Sequence, residues 1–399
     1  MSTLLVQEYL KTHSFEDLQR DHGVYPSFSK SGHKFSLNYD MLEAKESDPL
    51  SQECRGLILS FADLSLHIPR DKASIPGLVP GDTYIVSFPM KRFFNEGQGA
   101  AYVNWNDPRI SVMEKLDGSM IQVYHDQVKD EWHCATRSVP EANLINESGM
   151  TFRQLFEKAL FETAKQTFEE FTSKLNKDNT YCFELCSPYN RIVCYYPTCS
   201  VTLLAVRNKF THQEILPTEL FGVPVVKTYH FTELKDIVEW VATQNPMDHE
   251  GVVVRDSKFN RIKIKNPGYV AFNKASDRLK TSDRALIELI LLEKEDDVIP
   301  MLPDFLVEKI NAYKPSVVKW IAAYDLIFKE SLEEANNNDP GSKKAFAQIV
   351  CVKDYIWTAP LFFMYDKKKT MREFVKSNQV DGTWSNSFLD RVLDLVKRY

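Results

Sequence analysis

The sequence predicts an α+β chain: antiparallel sheets flanked by helices over residues 1–272, followed by an all-α segment over residues 273–399. Two observations carry this. Short β-rich runs recur before Tyr269, and afterwards apolar residues return at spacings of three and four, the signature of helices that bury one face. A third observation sets the scale, since 399 residues leave room for one domain with a sizeable core and a smaller second one.

Taken in order, residues 57–59 read as a strand behind Glu53-Cys54-Arg55-Gly56, and residues 110–115 and 120–124 as strands around Leu116-Asp117-Gly118-Ser119. An Asp-Gly pair between two such runs predicts a hairpin. Residues 152–171 carry a helical pattern, and residues 181–186, 201–206, 251–255 and 261–265 return to strand. Past Tyr269, helices are expected over residues 284–294, 304–312, 316–334 and 388–397. Breaks are expected at Pro300, Pro303, Pro315 and the stretch 336–341.

Composition narrows the class. Hydrophobic residues are 43% and charged residues 26%, too apolar for a disordered chain. The formal net charge of −6 excludes a generally basic nucleic-acid coat, so a polyanion would have to bind a local patch. The N-terminus lacks the basic and apolar regions of a signal peptide, and no apolar run nears the roughly 20 residues of a membrane span. A cytoplasmic monomer without membrane contact is expected. Seven cysteines without a CxxC pair point to reduced thiols. Cys182, Cys186, Cys194 and Cys199 sit in apolar, strand-like sequence without paired ligand spacing, so zinc is not expected.

Lys115 stands beside the Asp-Gly pair. One reading is a solvated lysine at the mouth of a surface hairpin; the other is a nucleophile. An amine attacks phosphorus only when unprotonated, and a free lysine has a pKa of about 10.4, so a nucleophilic lysine needs neighbouring cations or desolvation. Lys263 and Lys265 flank Ile264, and alternation along a strand puts them on one face. They form either an exposed basic edge or a pair that holds a triphosphate and acts on Lys115. Glu250 precedes Gly251 and a buried-looking strand, while Glu184 lies inside apolar strand sequence. An unpaired buried charge costs several kcal/mol. Glu184 therefore needs a partner, either an arginine such as Arg191 or a metal or ribose. Arg55, and Lys91-Arg92 beside Phe93-Phe94-Asn95, either clamp phosphates and stack a base or pack on the core.

In order, Glu114-Lys115-Leu116-Asp117-Gly118-Ser119, residues 181–186 with Asn190-Arg191-Ile192-Val193, Glu250-Gly251 and Lys263-Ile264-Lys265 resemble the motifs of the covalent nucleotidyltransferases. Glu53-Cys54-Arg55-Gly56, Phe93-Phe94-Asn95 and residues 190–193 narrow the resemblance to the ATP-dependent RNA ligase 1 family of bacteriophage type, over about residues 33–270. The short alternating strands of an OB-fold, which usually follow the last motif in DNA ligases and capping enzymes, are absent from the sequence.

The resemblance implies a nucleotidyltransferase (adenylation) domain and, in the helical segment, RNA substrate specificity. It implies ATP with Mg2+, or Mn2+ in its place, and three steps: lysyl-AMP on Lys115, transfer of AMP to an RNA 5′-phosphate, and joining to a 3′-hydroxyl. Residue by residue, Arg55 and Arg92 would bind phosphates, Glu184 a ribose or a metal water, Glu250 a metal, and Lys263 and Lys265 the triphosphate. Phe94 and Gly118 would belong to the ATP site, Asp117 to the sealing step, and Tyr269 to nucleotide or RNA. The family commonly has lysine where Arg92 stands, and lysine near Arg137. Single-stranded RNA ends are the implied partner, with a cleaved tRNA anticodon loop as the substrate in repair. Without a GxxxxGK[ST] loop, a separate 5′-end kinase/3′-phosphatase is expected to prepare the ends. A nicked-duplex ligase, a GTP-using capping enzyme and a catalytically silent RNA-binding protein are the competing readings. The basic stretch 367–376 is either an RNA contact or a solvated helix face.

Overall fold

The computed structural model describes residues 3–68, 76–143, 145, 149–231, 233–299, 302–353, 357–380 and 383–398, with backbone alone at 296–297. Pro300 lies outside them. The chain divides into two compact units, Met1–Ala271 and Phe272–Tyr399.

The first unit is built from β1 (Val24–Phe28), β2 (Lys34–Tyr39), β3 (Arg55–Phe61), β4 (Thr83–Ser87), β5 (Phe94–Asn95), β6 (Ser111–Glu114), β7 (Ser119–Asp126), β8 (Glu131–Thr136), β9 (Asn179–Cys186), β10 (Ser200–Asn208), β11 (Glu214–Ile215), β12 (Thr228–Tyr229), β13 (Gly251–Arg255) and β14 (Arg261–Lys265). They form three sheets in the orders β1-β2-β3-β4, β11-β10-β9-β7-β8 and β12-β6-β13-β14-β5. Pairing is antiparallel except for the two-residue β5, which runs parallel to β14.

Each sheet buries one face under helices. Helices α1 (Leu5–Leu10) and α2 (Phe15–His22) share a core with the first sheet, with Phe15 against Phe28, Phe35 and Phe61. A third short helix, α3 (Pro49–Glu53), leads into β3. α4 (Phe152–Ala164) starts at a capping box made by Thr151 and Gln154. Its Leu155, Phe156, Ala159 and Leu160 recur at helical spacing and bury against Phe183, Leu185, Val201 and Leu203 of β9 and β10. α5 (Phe168–Thr172) adds Phe168 and Phe171 to that core. α6 (Leu234–Thr243) places Ile237 and Val241 against Val252, Val254, Ile262 and Ile264. Alternation then dictates the opposite faces: Cys182 and Glu184 on β9, Val253 on β13, and Lys263 and Lys265 on β14.

β6 and β7 do not pair, so the expected hairpin is absent. β6 lies between β12 and β13, whereas β7 lies between β8 and β9 in a different sheet. The Asp-Gly segment is a crossing between two sheets. Its polar groups are taken by segments distant in sequence, and these override the local turn preference.

α7 (Pro267–Thr281) follows β14. The second unit contains α8 (Asp283–Leu291), α9 (Glu295–Val298), α10 (Asp304–Asn338), α11 (Lys343–Val352), α12 (Ala359–Lys367), α13 (Met371–Ser377) and α14 (Asn386–Val396), with one small hairpin, Gln379–Val380 against Thr383–Trp384. Pro315 does not break α10. A proline inside a helix costs about 3 kcal/mol. Here Leu306 and Ile310 on one side of it and Val317, Trp320 and Tyr324 on the other are buried in the same core, which holds both halves in line. Among the described residues, no helix is long and apolar enough to cross a membrane.

Candidate active site

Lys115 follows β6 directly. Its backbone N–H donates to the Gly251 carbonyl (2.9 Å), and that of Glu114 to the Lys227 carbonyl (2.8 Å). The side chain therefore emerges where β6 and β13 begin to part. Its Nζ donates to Glu250 Oε2 at 2.6 Å, and Lys265 Nζ reaches Glu250 Oε1 at 2.8 Å. Glu250, 3% exposed, thus bridges the two lysines. Gly251 must be glycine: its φ is +146°, and a Cβ would lie 2.2 Å from the Ile264 carbonyl oxygen.

Lys263 and Arg55 flank the Phe93 ring, 4.9 and 5.1 Å from its centroid. Burial, then the charges of Arg55, Lys115 and Lys265, pull the Lys263 ammonium down to about 7, with Glu250 opposing. On β9, burial pushes Glu184 up to about 7, Lys115 opposing and Glu250 adding to the rise. Its Oε1 accepts the Gly118 N–H at 3.1 Å. Arg55, Lys115 and Glu184 border a cavity between the two five-stranded sheets, whose apolar lining includes Met90, Phe93, Met113, Leu204, Val226 and Val253. Glu250 and Lys263 join it through their contacts with Lys115 and with Phe93. Cations, two carboxylates and an apolar slot suit a nucleotide, with phosphates at one end and a flat base at the other.

Asp117 is 2% exposed and fully engaged. Its Oδ2 accepts the N–H groups of Val193 (2.9 Å) and Cys194 (2.8 Å), and its Oδ1 accepts the Tyr269 hydroxyl (2.5 Å). Its own N–H donates to Tyr196 Oη (3.0 Å). The carboxylate thereby ties the segment after Lys115 to residues 193–196 and to the start of α7. Burial, with the nearby charge of Glu250, still raises its pKa against these bonds.

Gly118 is held by proximity, since a Cβ would lie 2.3 Å from the Leu185 carbonyl oxygen. Gly118→Ala is expected to destabilise the first unit by about 1–3 kcal/mol, as overpacking against backbone does. An unchanged melting temperature would show that β9 and the crossing separate freely.

The structure brings together Arg55, Lys115, Glu184, Glu250, Lys263 and Lys265, with Tyr269 reaching the group through Asp117 and through Lys265, whose Nζ lies 5.4 Å from the Tyr269 ring centroid. It sets Arg92 and Phe94 elsewhere. The buried Arg92 guanidinium stacks over Tyr39 (4.0 Å) and Phe94 (5.0 Å) and donates to the Ala44 carbonyl. Arg137 covers the same Tyr39 ring at 4.8 Å. Phe93, between Arg92 and Phe94, is the aromatic that meets Arg55 and Lys263, because neighbours in an extended segment point to opposite sides. Tyr196 was not legible as a site residue; the only sequence signal is its position shortly after Asn190-Arg191-Ile192-Val193.

Among the described residues, no three His, Cys, Asp or Glu side chains gather into a ready-made metal site. Glu184 and Glu250 are carboxylates of the kind a hard divalent cation takes, although both Glu250 oxygens are here engaged by Lys115 and Lys265. Mg2+ is commonly held by one or two carboxylates and completed by water and substrate phosphates.

Fold and site together define a cation-lined cleft between the two five-stranded sheets, with Lys115 at its wall. The family described as RNA ligase, T4 RNA ligase 1-like, matches residues 53–269. The chain belongs to this RNA ligase family. It is 30% identical over 282 residues to an Autographa californica nuclear polyhedrosis virus protein that carries the name bifunctional polynucleotide kinase/RNA ligase, covering 67% of this chain and 37% of that one. The chain thus spans little more than a third of that relative. Among solved structures, it is similar to an archaeal ATP-dependent RNA ligase in a second form (14% identity, 98% of each chain, TM-score 0.42). It is also similar to a Naegleria gruberi RNA ligase mutant with ATP and Mn (14% identity, 41% of this chain and 51% of that one, TM-score 0.31).

Proposed function

We propose that the chain is an ATP-dependent RNA ligase that joins 5′-phosphate and 3′-hydroxyl ends through lysyl-AMP and adenylylated RNA. The observation that carries this is the Lys115–Glu250–Lys265 bridge beside Lys263 and Arg55, in a chain of the RNA ligase family. Lys115 gives up its ammonium proton and attacks the α-phosphorus of ATP; as the P–N bond of the phosphoramidate forms, the bond to pyrophosphate breaks and a second proton leaves the nitrogen for solvent. The RNA 5′-phosphate oxygen then attacks the same phosphorus and frees the lysine. Finally a 3′-hydroxyl attacks the RNA phosphorus, loses its proton and expels AMP.

Lys263, Lys265 and Arg55 hold the phosphates, and Phe93 with the apolar slot takes the base. Arg92 and Phe94 brace this region from the Tyr39 side. Asp117, Gly118 and Tyr269 fix the segment that carries Lys115, and keep it fixed through sealing. Glu184 and Glu250 would hold Mg2+ or Mn2+, which when bound stabilises charge on the phosphates. Residues 1–272 act as the adenylation domain and residues 273–399 select RNA, with a cleaved tRNA anticodon loop as the repair substrate. A kinase and 3′-phosphatase activity must prepare those ends.

The test is to incubate the chain with Mg2+ and ATP labelled at the α-phosphate, to map the label, and to offer 5′-phosphorylated single-stranded RNA, DNA and a nicked duplex. Label on Lys115 and circularised RNA are expected. Labelling by GTP in place of ATP would indicate a capping enzyme, sealing confined to the nick a duplex ligase, and no label a silent binding protein.

A further inference from the structure

The loop between β9 and β10 has two faces with different chemistry. Its inner face is fastened to the lysine segment: Val193 and Cys194 N–H groups bind Asp117, and Asn190 Nδ2 donates to Ser119 Oγ (3.0 Å) and to the Leu185 carbonyl (2.9 Å). Its outer face carries Tyr189 and Tyr195, 40% and 56% exposed. Each ring has a cation beside it, Lys158 Nζ at 4.5 Å from the Tyr189 centroid and Arg191 at 5.3 Å from that of Tyr195. Lys158 Nζ also donates to the Tyr189 hydroxyl at 3.2 Å, which holds that cation at the ring's edge.

Resting on the ligase reading above, we propose that Tyr189 and Tyr195, with Lys158 and Arg191, form a stacking surface for unpaired nucleotides of the RNA end being joined. Three features select this occupant. Exposed rings stack on any base, and adjacent cations match the phosphates between bases. The net charge of −6 leaves phosphate binding to local clusters of this kind. The loop is continuous with the site, because the same segment that bears the rings holds Asp117, two positions from Lys115, through Val193 and Cys194. RNA seated there would lie beside the segment that must stay ordered while AMP passes from lysine to RNA.

The experiment uses the full chain and a 5′-phosphorylated single-stranded oligoribonucleotide. Tyr189→Ala and Tyr195→Ala are each expected to weaken its binding about 5- to 150-fold, the worth of one stacked base, while Tyr→Phe at either position keeps it. Lys158→Gln is expected to lower the slope of log affinity against log salt by about 0.7, one phosphate contact to a single strand. Covalent labelling of the protein by ATP should stay at the parent level in all of these. Parent-level RNA binding and sealing in the double Tyr189→Ala, Tyr195→Ala variant would overturn the proposal. So would a loss of labelling matching the loss of sealing, which would make the loop a brace for Asp117 only. If instead the parent chain takes no label, the ligase reading fails and the loop is not at fault.

Discussion

Lys115→Ala is expected to abolish covalent labelling by ATP, with a loss of about 10⁴-fold or more, the scale seen when a covalent nucleophile is deleted. It should do so without unfolding the chain. Glu250 keeps Lys265 at 2.8 Å as a counter-ion, and Lys115 is itself 21% exposed, so its removal strands no buried charge. Glu250→Gln makes the contrast. Removing the carboxylate charge leaves Lys115 and Lys265 without the counter-ion they share. Breaking a fully buried ion pair costs about 3–5 kcal/mol, and less is expected here because Lys115 and Lys265 are 21% and 29% exposed. Label incorporation and thermal unfolding, measured side by side, separate the two variants: the first loses label and keeps its melting temperature, the second loses both. A Lys115→Ala protein that still takes label at another residue would move the nucleophile and sink the proposed mechanism.

What the sequence made legible follows from local rules, and what it hid follows from long-range ones. Lys263 and Lys265 share a face because alternation in a strand is local, and the β-to-α change near Tyr269 is visible because periodicity is local. The hairpin expected at Asp117-Gly118 is absent because the partners of that segment, Leu185, Val193, Cys194 and Tyr269, lie some 70 to 150 residues further along the chain. Phe93, one residue before β5, and not the Phe94 that the resemblance implied, meets Arg55 and Lys263, a difference of one residue of phase. Pro315 misled in the opposite direction, since a strong local breaker was outweighed by burial on both sides of it. Glu184 was marked as a buried carboxylate in need of a partner, but the hydrogen bond it accepts comes from the Gly118 N–H, in the crossing just before β7, and not from a side chain.

Nucleotide affinity is expected to fall by up to tenfold per pH unit above about pH 7, and the cause is Lys263. Its ammonium has been brought down to about 7 by burial and by Arg55, Lys115 and Lys265, so above that pH the empty site holds a neutral amine. A triphosphate favours the charged form, and binding must then draw a proton from solvent. The same shift sets the stability profile of the empty chain. A lysine lowered on folding binds fewer protons folded than unfolded between about pH 7 and its ordinary value of 10.5, so its contribution to stability grows through that window and is lost as pH falls through 7. Glu184, raised to about 7 from 4.5, runs the other way: its contribution is present below about pH 4.5 and is lost as pH rises through 7. Together they place the weakest point of the empty site near neutrality, where a bound nucleotide has most to add. Calorimetric titration of ATP without metal at pH 8, in two buffers of different ionisation heat, should register proton uptake by the parent chain. Lys263→Arg should register none from this group, because arginine stays charged throughout. Equal heats in both buffers for the parent chain would mean that Lys263 is already charged in the empty site, and that the cations around it are screened by solvent more than their burial implies.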